Sequence, residues 1–171
     1  QKGWGFWISG SSNVTIVDST IESIGISGNS TVWVTNAALH SDPSVMPTGL
    51  IYIKWYLEVY SVAGADVSVW YSNGTLAQSQ VAGTDGLTRF TLLEKSVDAL
   101  STNSVGSYTV KAAWDGSSTE TTTELTASKR ILLTPPVPLW QEYWYVIVLV
   151  IVIVIASAAV FLMRRRGTKV A

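Results

Sequence analysis

The sequence predicts an all-β ectodomain, made of short parallel β-solenoid rungs and an antiparallel β-sandwich, followed by one C-terminal transmembrane helix. Three observations predict it. Residues 8–23, ISGSSNVTIVDSTIES, align without a gap on residues 26–41, ISGNSTVWVTNAALHS, eighteen positions on. Over residues 50–133, short alternating apolar and polar runs are separated by Asn-Gly and Asp-Gly pairs. From Val146 to Met163 the only polar side chain is Ser157.

The repeat occupies residues 1–41. A period of eighteen is short for helical repeats or propeller blades and fits one rung of a parallel solenoid. Val14 and Ile16, and their counterparts Val32 and Val34, alternate as inward positions of a strand. Thr15 and Val17, or Trp33 and Thr35, then point outward. Gly10 and Gly28 mark one corner, and Asp18 and Asn36 the next, because Asn and Asp tolerate unusual backbone angles. Ile21 and Leu39 supply a further inward side.

Residues 42–49, DPSVMPTG, carry two prolines and a glycine and read as a linker. Residues 50–133 then offer strands at 50–60, 65–71, 87–93, 107–114 and 128–134, with a Thr-rich candidate at 121–127. Asn73-Gly74, Asp85-Gly86 and Asp115-Gly116 supply the turns. That spacing predicts an antiparallel sandwich of about seven strands.

Residues 134–142 begin TPPVP and read as an extended, Pro-rich stalk reaching the membrane interface. The apolar run, with Tyr143–Tyr145 ahead of it, defines a transmembrane helix over 143–163; its eighteen uncharged residues make roughly 27 Å of helix, near the hydrocarbon thickness of a bilayer. Trp140, Tyr143, Trp144 and Tyr145 are placed as an interfacial aromatic belt, and Arg164, Arg165 and Arg166 as the stop-transfer charges. Residues 1–142 hold seven Lys or Arg against twelve Asp or Glu, whereas 164–171 hold four basic residues and no acid. The positive-inside rule therefore puts the tail in the cytoplasm and residues 1–142 outside a cell membrane crossed once. Ala156, Ser157, Ala158 and Ala159 are small enough for close helix packing.

Two resemblances add to this reading. GFWISGSSNVTIVDSTI resembles a rung of the right-handed parallel β-helix proteins, with Trp7 and Ile8 on the first strand, Ser12-Asn13-Val14 at the turn into the second, and Ile16 and Ile21 at later inward positions. It covers residues 1–41 and implies a fold, not an activity: catalytic members use Asp, Arg or Lys clusters on the outer face, and only Lys2, Asp18, Glu22 and His40 are available here. Residues 55–115 are similar to the transthyretin-like or carboxypeptidase-regulatory-like sandwich through Gly64-Ala65-Asp66-Val67 and Thr84-Asp85-Gly86. The usual D-x-x-G-x-P-V lead-in is missing, and an Ig-like sandwich fits the spacing as well. Both families serve as spacers or binding modules on surface proteins.

The chemistry-bearing residues are sparse. Cysteine is absent and His40 is the only histidine, which leaves no activated nucleophile. The acids are scattered, without zinc or EF-hand spacing, and no phosphate-binding glycine loop occurs. No catalytic residue, metal, cofactor or nucleic-acid partner is expected. Asn13, Asn29 and Asn73 each open an N-x-S/T sequon and are candidate glycosylation sites. Eight Trp and seven Tyr suit core filling or a protein contact, and Trp4, Trp7 and Trp33 are the candidates for stacking on an envelope glycan. The lack of disulfides in an outside domain points to a prokaryotic envelope.

These features predict a non-enzymatic, membrane-anchored cell-surface protein with a structural, adhesive, or glycan- or protein-binding role. The alternative is a single-pass accessory subunit of a larger integral-membrane complex, its outer β domain capping a partner. No signal peptide is present and the sequence opens on Gln1, so it reads as a processed form or a fragment. Two rungs alone expose strand edges, so either upstream rungs or a protein partner is expected against the N-terminal end.

Overall fold

Period-two alternation sets the strands of the first segment, and the eighteen-residue spacing sets how they stack. In the computed structural model, which describes residues 5–134 and 143–167 (with helical side chains to Ile155 and at Ser157), the chain is mostly β-sheet. The first copy forms β1 (Gly5–Ile8), β2 (Asn13–Val17) and β3 (Thr20–Ile21). The second forms β4 (Ser23–Ile26), β5 (Thr31–Thr35) and β6 (Ala38–Leu39). β1 pairs with β4, β2 with β5 and β3 with β6, all parallel, and Gly5↔Ser23, Asn13↔Thr31 and Thr20↔Ala38 keep the eighteen-residue offset. Each set of three strands is a rung.

The corners explain why the two copies read alike. Gly10 and Gly28 have φ of 87° and 71°, and Asp18 and Asn36 both have φ of 50°. Those left-handed angles favour Gly, Asn and Asp. Asn36 Nδ2 donates to Asp18 Oδ1 at 2.6 Å, so this corner is also a side-chain ladder. Val32 and Val34 are fully buried, while Val14 and Ile16 in the first rung are only half-buried.

The expected linker at 42–49 is instead the start of a third rung. Within it β7 (Ser44–Val45) pairs in parallel with β4, Gly25↔Ser44 and Ile26↔Val45, at an offset of nineteen. Pro43 and Pro47 flank this two-residue strand rather than interrupting it. The rung continues into β8 (Leu50–Tyr60), where Thr31↔Leu50 to Thr35↔Lys54 pair in parallel. The expected boundary between repeat and sandwich is thus crossed by one continuous sheet.

The remaining strands are β9 (Asp66–Tyr71), β10 (Leu76–Val81), β11 (Leu87–Asp98), β12 (Thr102–Ser104), β13 (Ser107–Trp114), β14 (Ser117–Glu124) and β15 (Lys129–Leu132). One sheet has the order β12-β11-β8-β5-β2, with β15 also on β8; the other is antiparallel, β10-β9-β13-β14. Their inner faces meet in a sandwich-like core of Leu57, Val59, Phe90 and Leu92 against Val67, Val69, Tyr108 and Val110. Burying side chains of this size stabilises the unit by roughly 1.5–3 kcal/mol each. Tyr108 is buried among them, and its hydroxyl donates to the Leu93 carbonyl at 2.6 Å, which satisfies the one polar atom that it brings inside. A second cluster fills the rungs, from Ile21, Ile24, Ile26, Val32 and Val34 to Ile51, Ile53 and Val97. Trp55 packs against both clusters.

One departure from an all-antiparallel sandwich is β15, which runs parallel to β8 from Lys129↔Leu57 to Leu132↔Tyr60. The same edge of β8 therefore serves β5 first and β15 next. Ser128 bridges the hand-over: it accepts from Tyr56 N at 3.1 Å and donates to Asn36 Oδ1 at 2.6 Å.

Gln1–Pro135 form one compact unit and Pro136–Ala171 another. The second contains α1 (Trp144–Gly167). Among the described residues no helix is long and apolar enough to cross a membrane. Side chains described without a break cover only residues 144–155, about 18 Å of helix. Trp140 and the stalk segment 135–142 lie outside the described residues, as do the side chains of Ala156, Ala158, Ala159 and Arg164–Arg166.

Candidate binding clefts

Among the described residues the β unit carries open clefts whose lining is set by strand register, three of which bear on binding. The first, about 360 Å³, opens where the rung core meets the sandwich core, between residues 37–43 and β8–β11. A register shift between Leu93 and Lys95 in β11 turns Glu94 toward Trp55. Glu94 Oε2 accepts from Trp55 Nε1, and Lys95 Nζ lies 3.5 Å from Oε1. His40 and Asp42 complete the rim. Both carboxylate oxygens of Glu94 thus already have partners, which suits holding Trp55 in place rather than moving a proton.

The second cleft, about 440 Å³, lies at the hand-over from β5 to β15. Glu58 sits opposite Arg89 on β11 and Arg130 on β15. Its Oε1 accepts from Arg89 Nη2 at 2.5 Å, and its Oε2 from Arg130 Nη2 at 2.8 Å and Nε at 3.1 Å. The Arg130 guanidinium lies 5.1 Å from the Tyr60 ring centroid, and that of Arg89 lies 5.4 Å from Tyr56. Hydrogen bonds from Arg130, then Arg89, hold the Glu58 carboxyl below its usual range. It stays ionised at neutral pH and cannot serve there as a general acid. Lys129, Asp18 and Asn36 supply the remaining charged and polar lining.

The third, about 420 Å³, is aromatic. Trp33 and Tyr52 are register partners on the outer face of β5 and β8. Their rings stack with centroids 6.3 Å apart and planes within 13°. Lys54, Gln78 and Thr91 add polar groups beside them, and Gln78 Nε2 donates to the Thr91 carbonyl at 2.9 Å. A flat aromatic pair with flanking donors can take the apolar face of a sugar ring or a partner's side chain.

The sequence-derived residues fall as follows. Asn13, Asn29 and Asn73 are all exposed, and Asn73 Oδ1 also accepts from Thr75 N at 2.9 Å, the turn contact expected of it. Trp7 is not a core residue: it is 60% exposed, and its ring covers Gly25 of the next rung. Trp33 lies on the outer face in the third cleft, and Trp4 lies outside the described residues. Tyr143, Trp144 and Tyr145 are exposed. Among the described residues no three metal-binding side chains converge. Sequence reading missed the Arg89–Glu58–Arg130 ladder, since residues 31 and 72 positions from Glu58 meet it only through strand register. Compared with family models, curated proteins and solved structures, the chain matches none.

Proposed function

We propose that this chain is a non-enzymatic surface protein held in a membrane by its C-terminal helix, with the β unit outside doing structural or adhesive work. The observation that carries the reading is α1. Its backbone is helical from Trp144 to Gly167, and every side chain from Val146 to Ile155 is large, apolar and 40–63% exposed. A helix that is apolar on all sides needs an apolar environment on all sides, and lipid supplies one. The full apolar run of the sequence, closed by Arg164–Arg166, matches a single span with a cytoplasmic tail.

On this reading the first segment is the end of a parallel β-solenoid joined to a β-sandwich. The Trp33–Tyr52 pair is the surface best suited to an envelope glycan or a protein partner. Asn13, Asn29 and Asn73 would face any glycosylation machinery outside the cell. Alkaline carbonate treatment of membranes from cells expressing the full chain tests the anchor. Retention in the pellet, with residues 1–135 open to external protease and the tail protected, is expected. Complete release into the supernatant overturns the reading. The exposed apolar side chains of α1 would equally suit other helices, as in a subunit of a membrane complex. Native mass in mild detergent separates these: a defined hetero-assembly favours the subunit, a single chain the stand-alone anchor.

A further inference from the structure

The two ends of the rung stack differ. At one end β8 carries the third rung, and its far edge is paired along its length with β11, from Leu50↔Asp98 to Tyr60↔Leu87. At the other, β1, β2 and β3 each pair with one strand only, so each has a free edge among the described residues.

Position by position, the first rung lacks what the second has. Phe6 and Ile8 stand in register with Ile24 and Ile26, which are 1% and 0% exposed, yet Phe6 is 49% exposed and Ile8 half-buried. Ser30 and Ser12 occupy equivalent sites, and each hydroxyl lies near the carbonyl three residues back. Ser30 Oγ also reaches the Gly10 carbonyl of the preceding rung at 3.2 Å, whereas Ser12 Oγ has only its local contact among the described residues. Gly28 would place a Cβ 2.4 Å from the Gly10 oxygen; a Cβ on Gly10 would meet nothing within 4 Å.

We propose that the free face of the first rung is a docking face for a further parallel β-rung of the same period, one register step before β1–β3. The occupant is β-helical polypeptide. Its strands would pair with the outer edges of β1, β2 and β3, and its inward residues would cover Phe6, Ile8, Val14 and Ile16. Its corner carbonyl would take the Ser12 hydroxyl and lie where a side chain at position 10 would strike it. A second copy of this chain is a poor fit for the face. Its own stack offers the same face, and at the other end β11 holds the outer edge of β8 and blocks a copy's β2 from pairing there, although β6 and β7 each pair with one strand only among the described residues. Two such faces brought together by a two-fold axis would set their strands antiparallel, out of the parallel register.

The test inserts a duplicate of residues 5–22 directly before Gly5 in the full chain, in detergent. Amide exchange of residues 5–17 is expected to slow at least about tenfold, and the unfolding midpoint to rise. Gly10→Ala in the extended chain should abolish both gains, because its Cβ now meets the inserted rung, while in the parent chain it costs only the strain of its left-handed φ. A duplicate with Asp at the positions of Val14 and Ile16 should give no protection. Unchanged exchange in residues 5–17 on insertion overturns the proposal, as does equal protection with and without Gly10→Ala. Concentration-dependent dimers of the parent chain that protect residues 5–17 would assign the face to a second copy and overturn it too.

Discussion

Gly28→Ala and Gly10→Ala make the same chemical change at equivalent positions of successive rungs, yet they should differ in cost. Both residues hold left-handed φ, 71° and 87°, so both variants carry the strain of an L-residue there, about 1–2 kcal/mol. At Gly10 that is the whole cost, because a Cβ finds open space. At Gly28 the new Cβ would sit 2.4 Å from the Gly10 oxygen and 3.2 Å from its nitrogen and carbonyl carbon. These are backbone atoms of a paired rung, so relief requires the rungs to part by about 1 Å. Overpacking of this kind costs typically 1–3 kcal/mol. Gly28→Ala should therefore be less stable than Gly10→Ala by about 1–3 kcal/mol. Urea unfolding of the full chain in detergent, followed by tryptophan emission, measures the difference. Equal midpoints at unchanged slope would refute the idea that contact between rungs, rather than corner geometry alone, demands glycine at position 28.

Three further outcomes follow from the geometry. Glu58 has its folded-state pKa lowered by Arg130 and Arg89, so its contribution is present above the unfolded value near 4.5 and is lost as pH falls through the folded value. Glu58→Gln should lower the midpoint at pH 7 and flatten its fall below about pH 4.5; parallel curves of midpoint against pH for the two proteins would contradict this. Thr88 is 1% exposed, and its hydroxyl has no hydrogen-bond partner among the described residues, so Thr88→Val should stabilise by about 1 kcal/mol, whereas a loss in chemical denaturation would reveal a bond to that oxygen. Val34→Ala in the rung core and Val110→Ala in the sandwich core should each cost roughly 1.5–3 kcal/mol and shift one common transition, since β8 belongs to both cores; two separable transitions in calorimetry would show that they fold apart.

The sequence made some features legible and hid others for identifiable reasons. The first two rungs repeat because both have the same corners, and corner residues are constrained by backbone angle. The third rung escapes detection because the corner pattern fails: no glycine stands where Gly28 aligns, Thr48 takes a left-handed φ of 72° instead, and the offset grows to nineteen. Only the inward apolar positions survive, as Val45, Ile51 and Ile53. Two prolines in so short a stretch then read as a linker. β10 was hidden differently: LAQSQV is largely exposed at a sheet edge and lacks the alternation that marked the core strands. The clefts were least legible, since Glu58, Arg89 and Arg130, or Trp33 and Tyr52, become neighbours only once register is fixed.

The position of β8 gives the molecule a direction. A stack of parallel strands is stable only when its end edges are covered, and a sheet edge left bare invites another strand. Here one cover is built into the chain. The eleven residues of β8 finish the third rung through Leu50–Lys54, continue into the sandwich, and present their other edge to β11 throughout. Ser128 and β15 then fill the half of β8 that the rungs leave vacant. The sandwich therefore caps the β8 side of the stack, while β6 and β7 each keep a free edge among the described residues. Such a cap fixes the register of the rung beside it through five consecutive residue pairs, and each rung fixes the next through its corners. Order passes from the cap toward Gly5, and the burial of equivalent residues falls off in the same direction, from Val34 at 0% to a half-buried Ile16. Exposure of the first rung is thus what such a stack shows at an edge that no strand covers among the described residues.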